Sequence, residues 1–173
     1  PIGGPRTEAS SIKDVLGAEL PLSIRQHLMA RIDRLEESKR TAQIAAVCGG
    51  EVDSAALAAL AGEAPGEIDR RLLALVDGGM LERVPDANGT RYRFRHALIA
   101  EAAYDSLLVR ERAVLHGEVA RWMLTERSAE IERRPELIAE HFERAGDIAE
   151  AIAYWCDAGA RSMRRYGYRE AIA

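Results

Sequence analysis

Apolar positions recur at three- and four-residue spacing along most of the chain. From Pro21, Leu22, Ile24, Leu28, Ile32 and Leu35 form one helical stripe, with Pro21 suited to the first turn. Ser38 is placed to cap a second helix whose inner face carries Ile44, Val47 and Cys48, and Gly49-Gly50 ends it. A short third helix is expected from Asp53 or Ser54 to about Ala61. Pro65 then opens a fourth segment with Ile68, Leu72, Leu73, Leu75 and Val76 on its apolar face, closing at Gly78-Gly79.

The period then changes from helical to alternating. Met80–Val84 and Arg91–Arg95 flank Asp86-Ala87-Asn88-Gly89, and the Asn-Gly pair favours the positive φ angles of a hairpin turn. Tyr92 and Phe94 point to one face, and Arg91, Arg93 and Arg95 to the other. Helical spacing resumes at once through Leu98, Ala102, Tyr104 and Leu108, so His96 stands at the joint, before a first turn whose N–H groups lack intrahelical partners. Helices are expected at about 97–109, 111–127, 134–145 and 147–163, with another from about 167.

These elements predict an all-α protein with a small β-hairpin: a winged-helix domain at about 21–109, then an antiparallel, TPR-like helical arm at 110–173. Residues 1–20, rich in Gly, Pro and Ser and without periodicity, are expected to be a linker or disordered. Glu150-Ala-Ile-Ala recurs as Glu170-Ala-Ile-Ala, a 20-residue offset that hints at repeats. Ala158, Gly159 and Ala160 are small enough for close helix approach.

Composition narrows the chemistry. Aromatics make up only 5% of the 173 residues, too few for a large sheet in so Ala-, Leu-, Glu- and Arg-rich a chain. The net charge of −4 offers no global field for nucleic acid. Cys48 and Cys156 lie far apart without CxxC spacing and are expected to be reduced core thiols. No membrane-length apolar run or secretory signal occurs, so a cytoplasmic setting is expected. The start without Met and the stop within a helical pattern suggest a piece of something longer.

Leu20-Pro21-Leu22-Ser23-Ile24, Ala30-Arg31-Ile32-Asp33-Arg34-Leu35, Phe94-Arg95-His96-Ala97-Leu98-Ile99 with Glu101, Tyr104 and Leu108, and Ala153-Tyr154-Trp155 together resemble one family. They are similar to the segment after the nucleotide-binding core of STAND signalling ATPases, particularly bacterial ones joined to adenylate or guanylate cyclase domains or to LuxR-type DNA-binding domains. The resemblance implies a winged helix that latches the ADP-bound resting state, followed by a sensing arm. It also implies that His96, at the start of the helix after the wing, approaches the nucleotide β-phosphate. The family usually has Asp after this histidine, and here Ala97 replaces it. Glu101, Tyr104 and Leu108 would be structural residues of the same helix.

The same resemblance makes the ATPase core and effector domain of the parent chain the partners, and ATP or ADP the parent's nucleotide. The piece itself is expected to be non-catalytic and without a cofactor or metal: Gly3-Gly4, Gly49-Gly50 and Gly78-Gly79 all lack the Lys-Ser/Thr of a phosphate-binding loop. His27, His116 and His141 stand on separate helices without ligand spacing and read as surface or packing residues. Asp105 and Ser106 lack a nucleophile-elbow context. Two alternatives stay open. Arg83, Arg91, Arg93 and Arg95 on the wing would suit DNA, although Glu67, Asp69 and Asp77 offset Arg70 and Arg71 on the recognition-helix position. Trp122, Tyr154, Trp155, Tyr166 and Tyr168 would suit a protein partner on the arm, or ordinary core.

Overall fold

The computed structural model describes residues 28, 30–34, 36–86 and 89–170, with side chains given through Arg164. The expected linker at 1–20, most of the first helix with His27, and the turn residues Ala87 and Asn88 lie outside the described residues. Residues 30–33 are helical and lead to a 3-10 turn at Glu36–Ser38. Then follow α1 (Lys39–Cys48), β1 (Val52–Asp53), α2 (Ser54–Ala61) and α3 (Pro65–Asp77). The hairpin is β2 (Leu81–Asp86) and β3 (Gly89–Phe94). Beyond it lie α4 (Ala97–Asp105), α5 (Val109–Glu126), α6 (Ser128–Arg133), α7 (Pro135–Ala145) and α8 (Ile148–Glu170). The protein is therefore mostly helical, with one small antiparallel sheet.

Local chemistry explains most boundaries. Asp53 caps α2 by accepting the Ala56 N–H at 2.7 Å, and Pro65 and Pro135 occupy first turns that need no donor from them. Ser38 stands before α1 but makes no capping bond, because its own backbone is already helical in the preceding 3-10 turn. Gly146 ends α7 at φ 88°, where an L side chain would be strained.

The sheet has the order β1-β3-β2, with Val52 opposite Tyr92 and Leu81 opposite Phe94. Strand β1 was not expected, since two residues are too few to show a period of two. Tyr92 is buried, and Arg93 and Arg95 are exposed, as alternation requires.

Three further expectations are corrected. Helix α4 stops at Asp105, not near residue 109: Arg112 reaches back to the Asp105 and Leu107 carbonyls, each at 3.1 Å, placing a cation against this helix C-terminus. Leu107 thereby takes the buried place expected for Leu108, which is exposed. Gly167 does not begin a new helix, because α8 runs unbroken through it to Glu170. Gly159 meets nothing within 4 Å of where a Cβ would stand, whereas a Cβ on Gly117 would lie 3.6 Å from the Ala145 Cβ, so the close helix approach is between α5 and α7.

One apolar cluster runs through the molecule, from Ile32 and Ile44 through Leu57, Leu72 and Leu81 to Leu115, Val119, Ile138 and Phe142. Helix α1 packs against α2, α3, α4 and α5. Helix α7 then packs on α5, and α8 on α7. Leu72 is fully enclosed, so Leu72→Ala is expected to cost about 2–5 kcal/mol in urea unfolding. Leu124→Ala, on an exposed part of α5, should cost less than about 1 kcal/mol.

Candidate functional site

Two places bring unusual chemistry together. The first is the joint between β3 and α4. His96 is the N-cap of α4 with extended backbone (φ −138°, ψ 136°) and an exposed ring that makes no capping bond. The Ile99 N–H bonds to the His96 carbonyl at 3.0 Å, which leaves the Ala97 and Leu98 N–H groups without partners in the helix. No acidic residue occupies the first turn of α4. Ala97 is exposed, so nothing in its side chain competes with an anion approaching these amides.

The arginines predicted beside this joint differ sharply in how they are engaged. Arg93 bonds Glu82 at 2.6 Å and lies 3.9 Å from Glu51; Arg91 stands 3.2 Å from Asp86. Arg83 and Arg95 are exposed and make no ion pair with another described residue. On α3, Arg70 pairs with Glu67 and Arg71 with Glu63 at 2.7 Å. The cations available to an outside anion are therefore Arg95, next in sequence to His96, and Arg83 on the neighbouring strand.

The second place holds two histidines that the sequence reads as surface or packing residues; both are packing residues, and the structure adds that they meet. His116, on α5, and His141, on α7, meet with their Nδ1 atoms 2.9 Å apart, and the Tyr104 hydroxyl of α4 lies 3.0 Å from His116 Nε2. His116 is almost fully enclosed and His141 half-buried. Two Nδ1 atoms at this distance need one proton between them, so the rings cannot both be imidazolium. Burial, first of all, pushes the His116 pKa down to about 3, helped by His141 and Arg144. Burial and Arg144 push His141 down to about 4. Both rings are neutral near pH 7, and their hydrogen bonds tie α4, α5 and α7 together.

These rings line a cleft of about 590 Å³ between the sheet-bearing half and the helical arm. Cys48 also faces it, and burial, with Asp53, pushes this thiol up to about 12, which keeps it protonated near pH 7. Cys156, in contrast, is exposed on α8 rather than in the core expected for it. Among the described residues no group of three or more side chains could hold a metal ion, and none of the helices is long and apolar enough to cross a membrane. Asp105 pairs with Arg112 at 3.3 Å, and Ser106 accepts from Gln43 and donates to the Ala103 carbonyl.

Part of the histidine pair was visible in the pattern. His116 shares a helical face with Val119, Ala120 and Met123, and His141 falls beside Ile138 and Phe142, so each interrupts an apolar stripe. Their meeting depends on how α5 packs on α7, which spacing within either helix does not encode.

No family model and no solved structure matches the chain. An uncharacterized protein of Rhizobium meliloti (strain 1021) is 32% identical over 145 residues, a stretch covering 83% of this chain. The chain spans 14% of that relative's length.

The histidine pair generates a pH dependence. Below the unfolded imidazole value near 6.5, the unfolded chain binds protons that the folded rings, at about 3 and 4, refuse, so stability falls as pH drops from about 6.5 toward 4. Above pH 7 this source contributes no slope. Urea unfolding between pH 7 and 5 is expected to show the decline, and His116→Gln combined with His141→Gln should flatten it even if the variant is less stable overall.

Proposed function

We propose that the chain is a non-catalytic regulatory and coupling segment of a STAND-type signalling ATPase, relaying nucleotide state from the parent's ATPase core to its effector domain in the cytoplasm. In this reading α1 to α4 with the sheet form a winged helix, and α5 to α8 begin a TPR-like arm. The succession of helix, short strand, two helices and hairpin supports the first assignment. Sequential packing of α5, α7 and α8 supports the second. A relative in which the matching stretch is a small fraction of the whole supports a role inside a larger chain.

The observation that carries the reading is the joint at His96. An exposed imidazole and two helix N–H groups without helical partners stand at a helix start whose first turn holds no acidic residue, and Arg95, next in sequence, makes no ion pair among the described residues. That is suitable chemistry for the terminal phosphate of ADP presented by another domain. Ala97 leaves the ring without the acidic neighbour usual in the family.

DNA binding is the weaker alternative for a physical reason. Phosphate contacts need uncompensated cations, and four of the arginines that would face a duplex are paired with carboxylates of the same chain. A protein partner on the arm is compatible with coupling and has its own support. Ile148, Ile152, Trp155 and Met163 form an exposed apolar stripe along α8, the last two 40% and 78% exposed, so Trp155 is not the core residue it could have been.

In the full-length parent, His96→Ala is expected to speed release of a fluorescent ADP analogue about tenfold, the loss of one hydrogen bond to a charged group, and to raise basal signalling. Unchanged ADP retention would overturn the nucleotide role. A salt-dependent shift of duplex DNA by the 173-residue chain would favour the DNA reading instead.

A further inference from the structure

The cleft between the two halves carries a polar device that packing alone does not require. Burying a chain of three polar rings, Tyr104, His116 and His141, costs desolvation that apolar side chains of similar size would avoid. Every polar ring atom in the chain is satisfied internally except one: Nε2 of His141 has no hydrogen-bond partner among the described residues and is not a buried atom. Its state is set by the rest of the chain. If the Tyr104 hydroxyl donates to His116 Nε2, then His116 Nδ1–H donates to His141 Nδ1, and His141 must carry its proton on Nε2. If the bonds run the other way, Nε2 of His141 is a bare acceptor and the tyrosine proton is left without a use in the chain. Whether the cleft meets a donor or a bare acceptor at this atom is therefore coupled to a hydroxyl two rings away.

The charges around it select the ligand. Arg144, one turn along α7 from His141, lines the same cleft, and its charge helps to lower the pKa of both histidines. Its own partner is Glu140 at 3.9 Å, with both side chains more than half exposed, so this guanidinium is loosely held. The other carboxylates lining the cleft are drawn elsewhere: Glu130 lies 3.6 Å from Arg127, and Glu51 lies 3.9 Å from Arg93. Neither histidine accepts or donates a bond to a carboxylate among the described residues. Below these groups, Val119, Met123 and Leu137 line the same cleft, whose volume suits a small molecule.

We propose that this cleft binds a small organic acid, its acid group held between the Arg144 guanidinium and the Nε2–H of His141 and its apolar body lying over Val119, Met123 and Leu137. A bound acid selects the hydrogen-bond direction that starts at Tyr104, so occupancy is transmitted through His116 to α4, the helix that His96 caps. The site is independent of any nucleotide contact at His96, and its failure would leave that reading untouched.

The test uses the 173-residue chain with benzoate and phenyl phosphate as probes and benzamide as the neutral isostere, observed through the imidazole nitrogens by NMR. Either acid is expected to titrate the His141 resonances saturably in the millimolar range and to move Nε2 to its protonated form, the tighter probe identifying carboxylate or phosphate as the preferred group. Benzamide should be without effect. Arg144→Gln, at an exposed position, should weaken binding about tenfold while leaving the amide spectrum of the core unchanged. His141→Gln tests the second contact in the same way. No saturable shift with either acid, an equal response to benzamide, or undiminished binding by Arg144→Gln would each overturn the proposal. The benzamide comparison needs no variant and so decides the matter even if a substitution disturbs the fold.

Discussion

The structure depends on the burial of α1 on nearly all sides. Thr41, Ala42, Gln43, Ile44, Ala45 and Val47 are all enclosed, so a helix of only ten residues serves as a shared wall for everything before and after the hairpin. A helix with one apolar stripe can belong to one layer. A helix buried nearly all round must have several partners, and α1 finds them in α2, α3, α4 and α5. Its polar members are accommodated specifically: Gln43 donates to Ser106 Oγ at 2.8 Å, just past the end of α4. The helix that carries His96 is thus seated directly on the central wall.

From that constraint the polar features fall into an order. The exposed joint at His96 lies at one end of α4, and Tyr104 lies near the other end of the same short helix. Tyr104 joins His116 on α5, and His116 joins His141 on α7, so a chain of hydrogen bonds connects the helix that starts at the joint to the arm. Arg112 reinforces the corner by stacking 4.6 Å from the centre of the Tyr104 ring while holding the carbonyls at the end of α4. Displacing α4 would disturb the core beneath it and the histidine pair beyond it together. Such mechanical continuity is what a coupling element needs.

Much of this architecture was legible because each boundary carries its own signal. Asp53, Pro65, Gly78-Gly79 and the alternation of Tyr92 and Phe94 mark elements by local chemistry, and the structure follows them closely. Failures have a common cause. The end of α4 is set by Arg112 reaching back from the next helix, β1 exists only because β3 lies beside it, and Gly167 is carried through by a helix whose pattern continues on either side. At the candidate sites, His96 could be found because a change of period isolates it. His116 and His141 could be seen only as interruptions in two apolar stripes, and their pairing across 25 residues is a tertiary fact.

The claim most exposed to refutation is that the sheet-bearing half and the arm form one cooperative body through α1. Native-state hydrogen exchange measures this directly, by comparing the opening free energies of the slowest amides in α3 with those in α7. A single body predicts that both sets exchange only through the same global unfolding, with equal free energies and equal dependence on denaturant. An arm that opens at distinctly lower free energy while α3 stays protected would contradict it, and would remove the mechanical basis for any relay between the two.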